Sequence, residues 1–145
     1  MRLPLLLILL ALGSARGALA AEPDGRELVV LPEMMQQHML ANMRDHLRAI
    51  AEIQDALAGG RFDVAKNVAE ERLGMSSLAS HGASHMAPYM PEPMRAIGSQ
   101  MHRTASQFAL IAEEASVDGD LSRALKALSA VTAQCNSCHA AYRIH

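Results

Sequence analysis

Cys135-Asn136-Ser137-Cys138-His139-Ala140-Ala141-Tyr142-Arg143 lies near the end of this 145-residue chain. Its first five residues spell C-x-x-C-H, the attachment signature of a c-type haem. The spacing follows from the chemistry. Two thiols must reach two vinyl groups along one porphyrin edge and form a thioether with each. The next residue then lies beneath the ring, where the imidazole of His139 can take the proximal position on iron. Cys135 and Cys138 are the only cysteines in the chain, so neither has a competing partner. A redox dithiol calls for a βαβ context that an all-helical sequence does not offer. A structural zinc site needs a second pair of ligands at comparable spacing, and none is present.

The other end of the chain reads as an export signal over residues 1–20. Arg2 supplies the positive start, Leu3 to Leu12 is almost wholly apolar, and Ala18-Leu19-Ala20 offers a small-x-small cleavage pattern. The apolar run is shorter than the about 20 residues a bilayer span requires. Cleavage would leave a mature domain of residues 21–145, with no membrane span, in the periplasm; a retained anchor is the alternative. That domain loses Arg2 and Arg16 from the 13 basic residues and none of the 15 acidic ones. Its net charge of about −4 disfavours nucleic acid or anionic lipid as a partner. Export and haem attachment are mutually supporting, because bacterial c-type haem is attached outside the cytoplasm.

Aromatic residues make up only 3% of the chain and alanine is abundant, a balance that favours helix over strand. A first helix is expected from Pro32, with Met39, Leu40, Met43, Leu47, Ile50, Ile53 and Leu57 on its apolar stripe and Gly59-Gly60 at its end. A second opens near Asp63, carries Val64, Val68, Met75 and Leu78, and fades around Ser80 to Gly82. A third starts at Pro91 to Pro93, with Met94, Ile97, Met101, Ala105, Phe108 and Ala112 in register. The fourth begins near Asp118-Gly119-Asp120 and carries Leu121, Leu125, Leu128, Val131 or Thr132, and Cys135. That stripe continues through Cys138, His139 and Tyr142, so the haem-linking residues should face the helical packing.

A four-helix chain with C-x-x-C-H at its C-terminal end resembles the class II c-type cytochromes, which include cytochrome c′ and its low-spin relatives. Residues 135–143 fit that family's pattern C-x-x-C-H-x-x-[YF]-R, and Gly60-Arg61-Phe62-Asp63 is a weaker match to its first turn. The resemblance implies an all-α, antiparallel four-helix bundle with one covalent haem c on the C-terminal helix and the first helix over the distal haem face. It also implies that Arg143 lies near the proximal histidine or a propionate, against the alternative of a solvated terminal charge. The family divides on the residue that faces iron from the first helix. A methionine makes the iron six-coordinate and suited to electron transfer, whereas a non-coordinating residue leaves it open to NO or CO. Met43 is the first candidate and Met39, one turn earlier, the runner-up; Met35 lies close to the helix start, and His38 is a further candidate.

His81, His85, Met86, Met90, Met94, Met101 and His102 gather thioethers and imidazoles in the second connection and third helix, a donor set suited to Cu(I). No acid–base pair or activated nucleophile stands out. The sequence therefore predicts a periplasmic carrier of single electrons between redox proteins, not an enzyme. A gas-binding cytochrome c′ and a copper-handling protein are the alternatives, and class II relatives are often homodimers.

Overall fold

The computed structural model describes residues 24–145; the export signal expected at residues 1–20 lies outside them. The chain is mostly helical. Among the described residues, α1 spans Glu33–Ala58, α2 Phe62–Arg72, α3 Ala83–Met86, α4 Glu92–Asp118 and α5 Leu121–Ala141. Two-residue strands β1 (Glu27–Leu28) and β2 (Tyr142–Arg143) pair in parallel and tie the start of the described chain to its end.

Local chemistry explains the boundaries. Pro32 and Pro91 precede α1 and α4 with the same dihedrals, φ −53° and ψ 145°. Proline costs nothing there, because the first turn of a helix has no intrahelical use for its amide. At the end of α1, Gly60 takes a left-handed φ of 69°. Its amide donates to the Leu57 carbonyl and that of Arg61 to the Ala56 carbonyl, at 3.1 and 2.8 Å. These paired bonds are the Schellman closure, and they explain the requirement for glycine. α5 starts on Asp120, whose carboxylate accepts from the Arg123 amide at 2.9 Å.

The second helix is shorter than its sequence predicts. It stops at Arg72 instead of reaching Ser80 to Gly82, and a 3-10 turn at Met75–Ser77 follows. The amides of Leu73 and Gly74 both donate to the Ala69 carbonyl, which closes the last turn. α3 then forms inside a connection expected to be loop. Val64 and Met75 are exposed, and α2 packs instead through Phe62, Ala65 and Ala69.

α1 packs on α2, α2 on α4 and α4 on α5. The main core draws on all four, from Ala49 and Ile53 through Ala69 and Phe108 to Leu128 and Val131. Many of its members are alanines with no exposed surface. A second cluster of Val29, Leu31, Met86 and Met94, with Met35, Met39, Cys138 and Tyr142 packed against it, occupies the other end. Three further residues expected on apolar stripes, Leu47, Leu121 and Leu125, are exposed. No helix of the described residues is long and apolar enough to cross a membrane.

Candidate functional site

Between the two apolar clusters lies a cavity of about 410 Å³, mostly apolar in its lining. Its walls come from the first half of α1, the connection from Leu78 to Met90, the first half of α4 and the C-terminal end of α5. A cavity of this size lies within the range of small-molecule and cofactor sites.

Cys135, Cys138 and His139 sit at i, i+3 and i+4 on the last turns of α5, one above another on a single face. Cys138 and His139 line the cavity. Cys135 is half-buried against the main core, with its thiol 3.6 Å from the Val131 carbonyl. Both cysteines are free. Burial pushes both thiols above the usual cysteine range, so they are neutral and lack the activated thiolate of a redox dithiol. Cys138 and His139 thus reach the cavity while Cys135 packs against the main core, and His139, expected on the buried face of the helix, is exposed.

The first helix supplies Met39 and Met43 to the cavity lining, while Met34, Met35 and His38 line a separate groove. Arg143 also lines the cavity. It is partly covered, with its Nε 3.6 Å from Asp24 and its Nη1 donating to the His145 carbonyl. It is not a freely solvated charge. Arg26 and Arg95 join it in the lining, and no motif or periodicity marks either of them. Arg26 reaches the site only because the segment before β1 folds against the chain end, where its hydrogen bonds hold the Asp24 carboxyl well below the usual carboxylate range.

Three imidazoles that sequence reasoning left unassembled meet in the same cavity. The ring centroids of His46 and His81 are 4.8 Å apart, those of His81 and His102 5.5 Å, and those of His46 and His102 6.1 Å. His102 Nδ1 donates to the Leu73 carbonyl at 2.7 Å. The Ser77 hydroxyl donates to the Gly74 carbonyl and has His81 Nδ1 at 3.3 Å. His46 Nε2 is buried without a hydrogen-bond partner. Burial, and then the neighbouring His81 and His102, push the His46 pKa down to about 4. Burial also lowers those of His81 and His102. Among the described residues, no three His, Cys, Asp or Glu side chains converge to hold a metal ion. The Met/His residues between 81 and 102 therefore divide: His85 faces the groove, most of the others the cavity, and Met86 lines both.

Compared with known proteins, the chain matches no family model, no curated protein and no solved structure.

Proposed function

We propose that this chain is an exported monohaem cytochrome c of the class II type, an antiparallel four-helix bundle that carries single electrons between periplasmic redox proteins. The observation that carries this reading is the meeting, across one apolar cavity, of the C-x-x-C-H turn of α5 with the thioethers of Met39 and Met43 on α1.

The donor set fits a covalent haem. Cys135 and Cys138 would form the thioethers, His139 would be the proximal ligand, and Met43, with Met39 as the runner-up, the distal one. A haem held this way supplies reversible one-electron chemistry at an iron whose ligands need not change. The chain's own residues set the surroundings. Met90, Met94 and Met101 give the cavity an apolar lining that can adapt to a flat ligand, because a thioether side chain is flexible and polarizable. The guanidinium groups of Arg26, Arg95 and Arg143 suit carboxylate propionates, which they can meet with paired hydrogen bonds. Thiols that burial keeps neutral do not offer the activated nucleophile of a thiol enzyme.

The test is to express the full chain in a host with an intact haem-attachment system. The mature protein should be coloured, should gain the mass of one haem, and should lose both properties in Cys135→Ser/Cys138→Ser. Its ferric spectrum should be low-spin with the long-wavelength band of sulfur ligation, and Met43→Ala should turn it high-spin. An unchanged spectrum in Met43→Ala moves the ligand to Met39. A high-spin wild type that takes up CO on reduction replaces electron transfer by gas binding, and a colourless protein of bare polypeptide mass ends the proposal.

A further inference from the structure

A second groove opens beside the N-terminal turns of α1 and is lined by Met34, Met35, His38, Gly82, His85 and Met86. Five of those six residues carry a thioether or an imidazole. Nothing in the packing requires this at Met34, which is 79% exposed; a methionine that fills a core is not displayed to solvent. On α1, Met34 and Met35 precede His38 by four and three positions, which puts all three along one side of the helix. His85 and Met86 face them from α3.

His38 is held for a particular use. Its Nε2 lies 2.8 Å from the His81 carbonyl. A carbonyl only accepts, so Nε2 carries the proton and Nδ1 keeps the free lone pair. Fixing one ring nitrogen on a backbone carbonyl is how proteins orient an imidazole for a metal. The Asn42 side-chain amide donates to the same carbonyl at 3.1 Å. Gly82 completes the arrangement: it takes a left-handed φ of 62°, and any Cβ there would lie 3.0 Å from His38 Nε2. A side chain at Gly82 would thus crowd the imidazole, and the left-handed backbone there favours glycine in its own right.

We propose that this groove is a Cu(I) site, with ligands drawn from Met34, Met35, His85 and His38 Nδ1, none of which lines the cavity between α1 and α5. Soft thioethers with imidazole select a soft monovalent ion, whereas Zn(II) and harder ions call for thiolate, carboxylate or clustered histidine. The groove has no thiolate or carboxylate and only two histidines. The haem assignment is not needed for this site, since Met34, Met35, His38 and His85 do not line the cavity.

The experiment titrates the mature full-length chain, as purified from the host above, with Cu(I) under anaerobic reducing conditions against a competing chelator. Bound copper is read by elemental analysis and by X-ray absorption at the copper edge. One Cu(I) per chain should bind with mixed sulfur and nitrogen donors. Met34→Leu and His85→Asn should each weaken it by about 10- to 100-fold. Met75→Leu, which alters an exposed methionine outside the groove, should leave it unchanged. Wild-type affinity in the Met34→Leu/His85→Asn double variant would overturn the proposal, as would equal loss in Met75→Leu or equally tight Zn(II) binding. If the chain proves to lack haem but still takes up one Cu(I) lost in the double variant, this site stands and the electron-carrier reading falls alone.

Discussion

His46 is the residue whose environment differs most from what its neighbours in sequence imply. It is flanked on α1 by Asp45 and Leu47, yet it is the buried one, while Leu47 is 72% exposed. Its pKa of about 4 has a consequence for stability. An unfolded histidine titrates near 6.5, so below that pH the unfolded chain binds a proton that the folded one refuses. Stability is therefore unaffected by His46 above about pH 6.5 and falls as pH drops from there toward 4. A shift from 6.5 to about 4 corresponds to a loss on the order of 3 kcal/mol at the acid end. His81 and His102, shifted in the same direction, add to the slope. Urea midpoints measured from pH 7 to 4.5 should decline, and the decline should flatten in His46→Gln. Parallel profiles for the two proteins would show that His46 accepts its proton in the folded state.

At the scale of the helix, the capping residues make the sharpest expectation. Asp120 closes the turn between α4 and α5 by accepting from the Arg123 amide, while its own amide donates to the Ala115 carbonyl at 3.1 Å. The carboxylate satisfies an amide that the helix itself cannot pair. Asp120→Ala should cost about 1 kcal/mol, and Asp120→Asn much less. Equal thermal midpoints for Asp120→Ala and the wild type would mean that the cap bond carries no net weight. The sequence announced these ends well: Pro32, Gly59-Gly60, Pro91 and Asp118-Gly119-Asp120 each fix backbone geometry by their own chemistry. It announced the buried faces less well. Steps of four from Met39 through Met43 to Leu47 drift about 40° per step around a helix with 3.6 residues per turn. The stripe therefore leaves the interface by Leu47, and burial continues through His46, Ala49 and Ile53. On α5 the same drift exposes Leu121 and Leu125, and Ala124, Leu128 and Val131 are buried. Alanine was the missed signal. The larger Val64 and Met75 are exposed, and on α2 the small Ala65 and Ala69 make the contact.

Across the whole molecule, the two ends are built from different materials. The closed end packs alanine with Ile53, Leu57, Leu73 and Phe108, all nearly without exposed surface. The other end is held by methionines around Met86 and Met94, by the short β1–β2 pairing, and by the walls of the cavity. C-x-x-C-H was legible because its residues are adjacent in sequence and carried on one element. The arginines at the cavity and the three imidazoles were not, because they meet only through contacts between segments distant in sequence. This division predicts how stability is shared. The alanine-rich end buries its surface by itself, whereas the methionine end borders the cavity in which the proposed haem would pack. In Cys135→Ser/Cys138→Ser, which cannot form thioethers, amide exchange should quicken by about tenfold or more over the first turns of α1, α3 and the last turns of α5. Ala49 to Leu57 and Ala105 to Ala115 should keep most of their protection, since their partners lie within the closed core. Loss of protection spread evenly along α1 and α4 would show that the two ends unfold as one unit. Identical exchange in the variant and the wild type would show that the α5 thiols secure nothing.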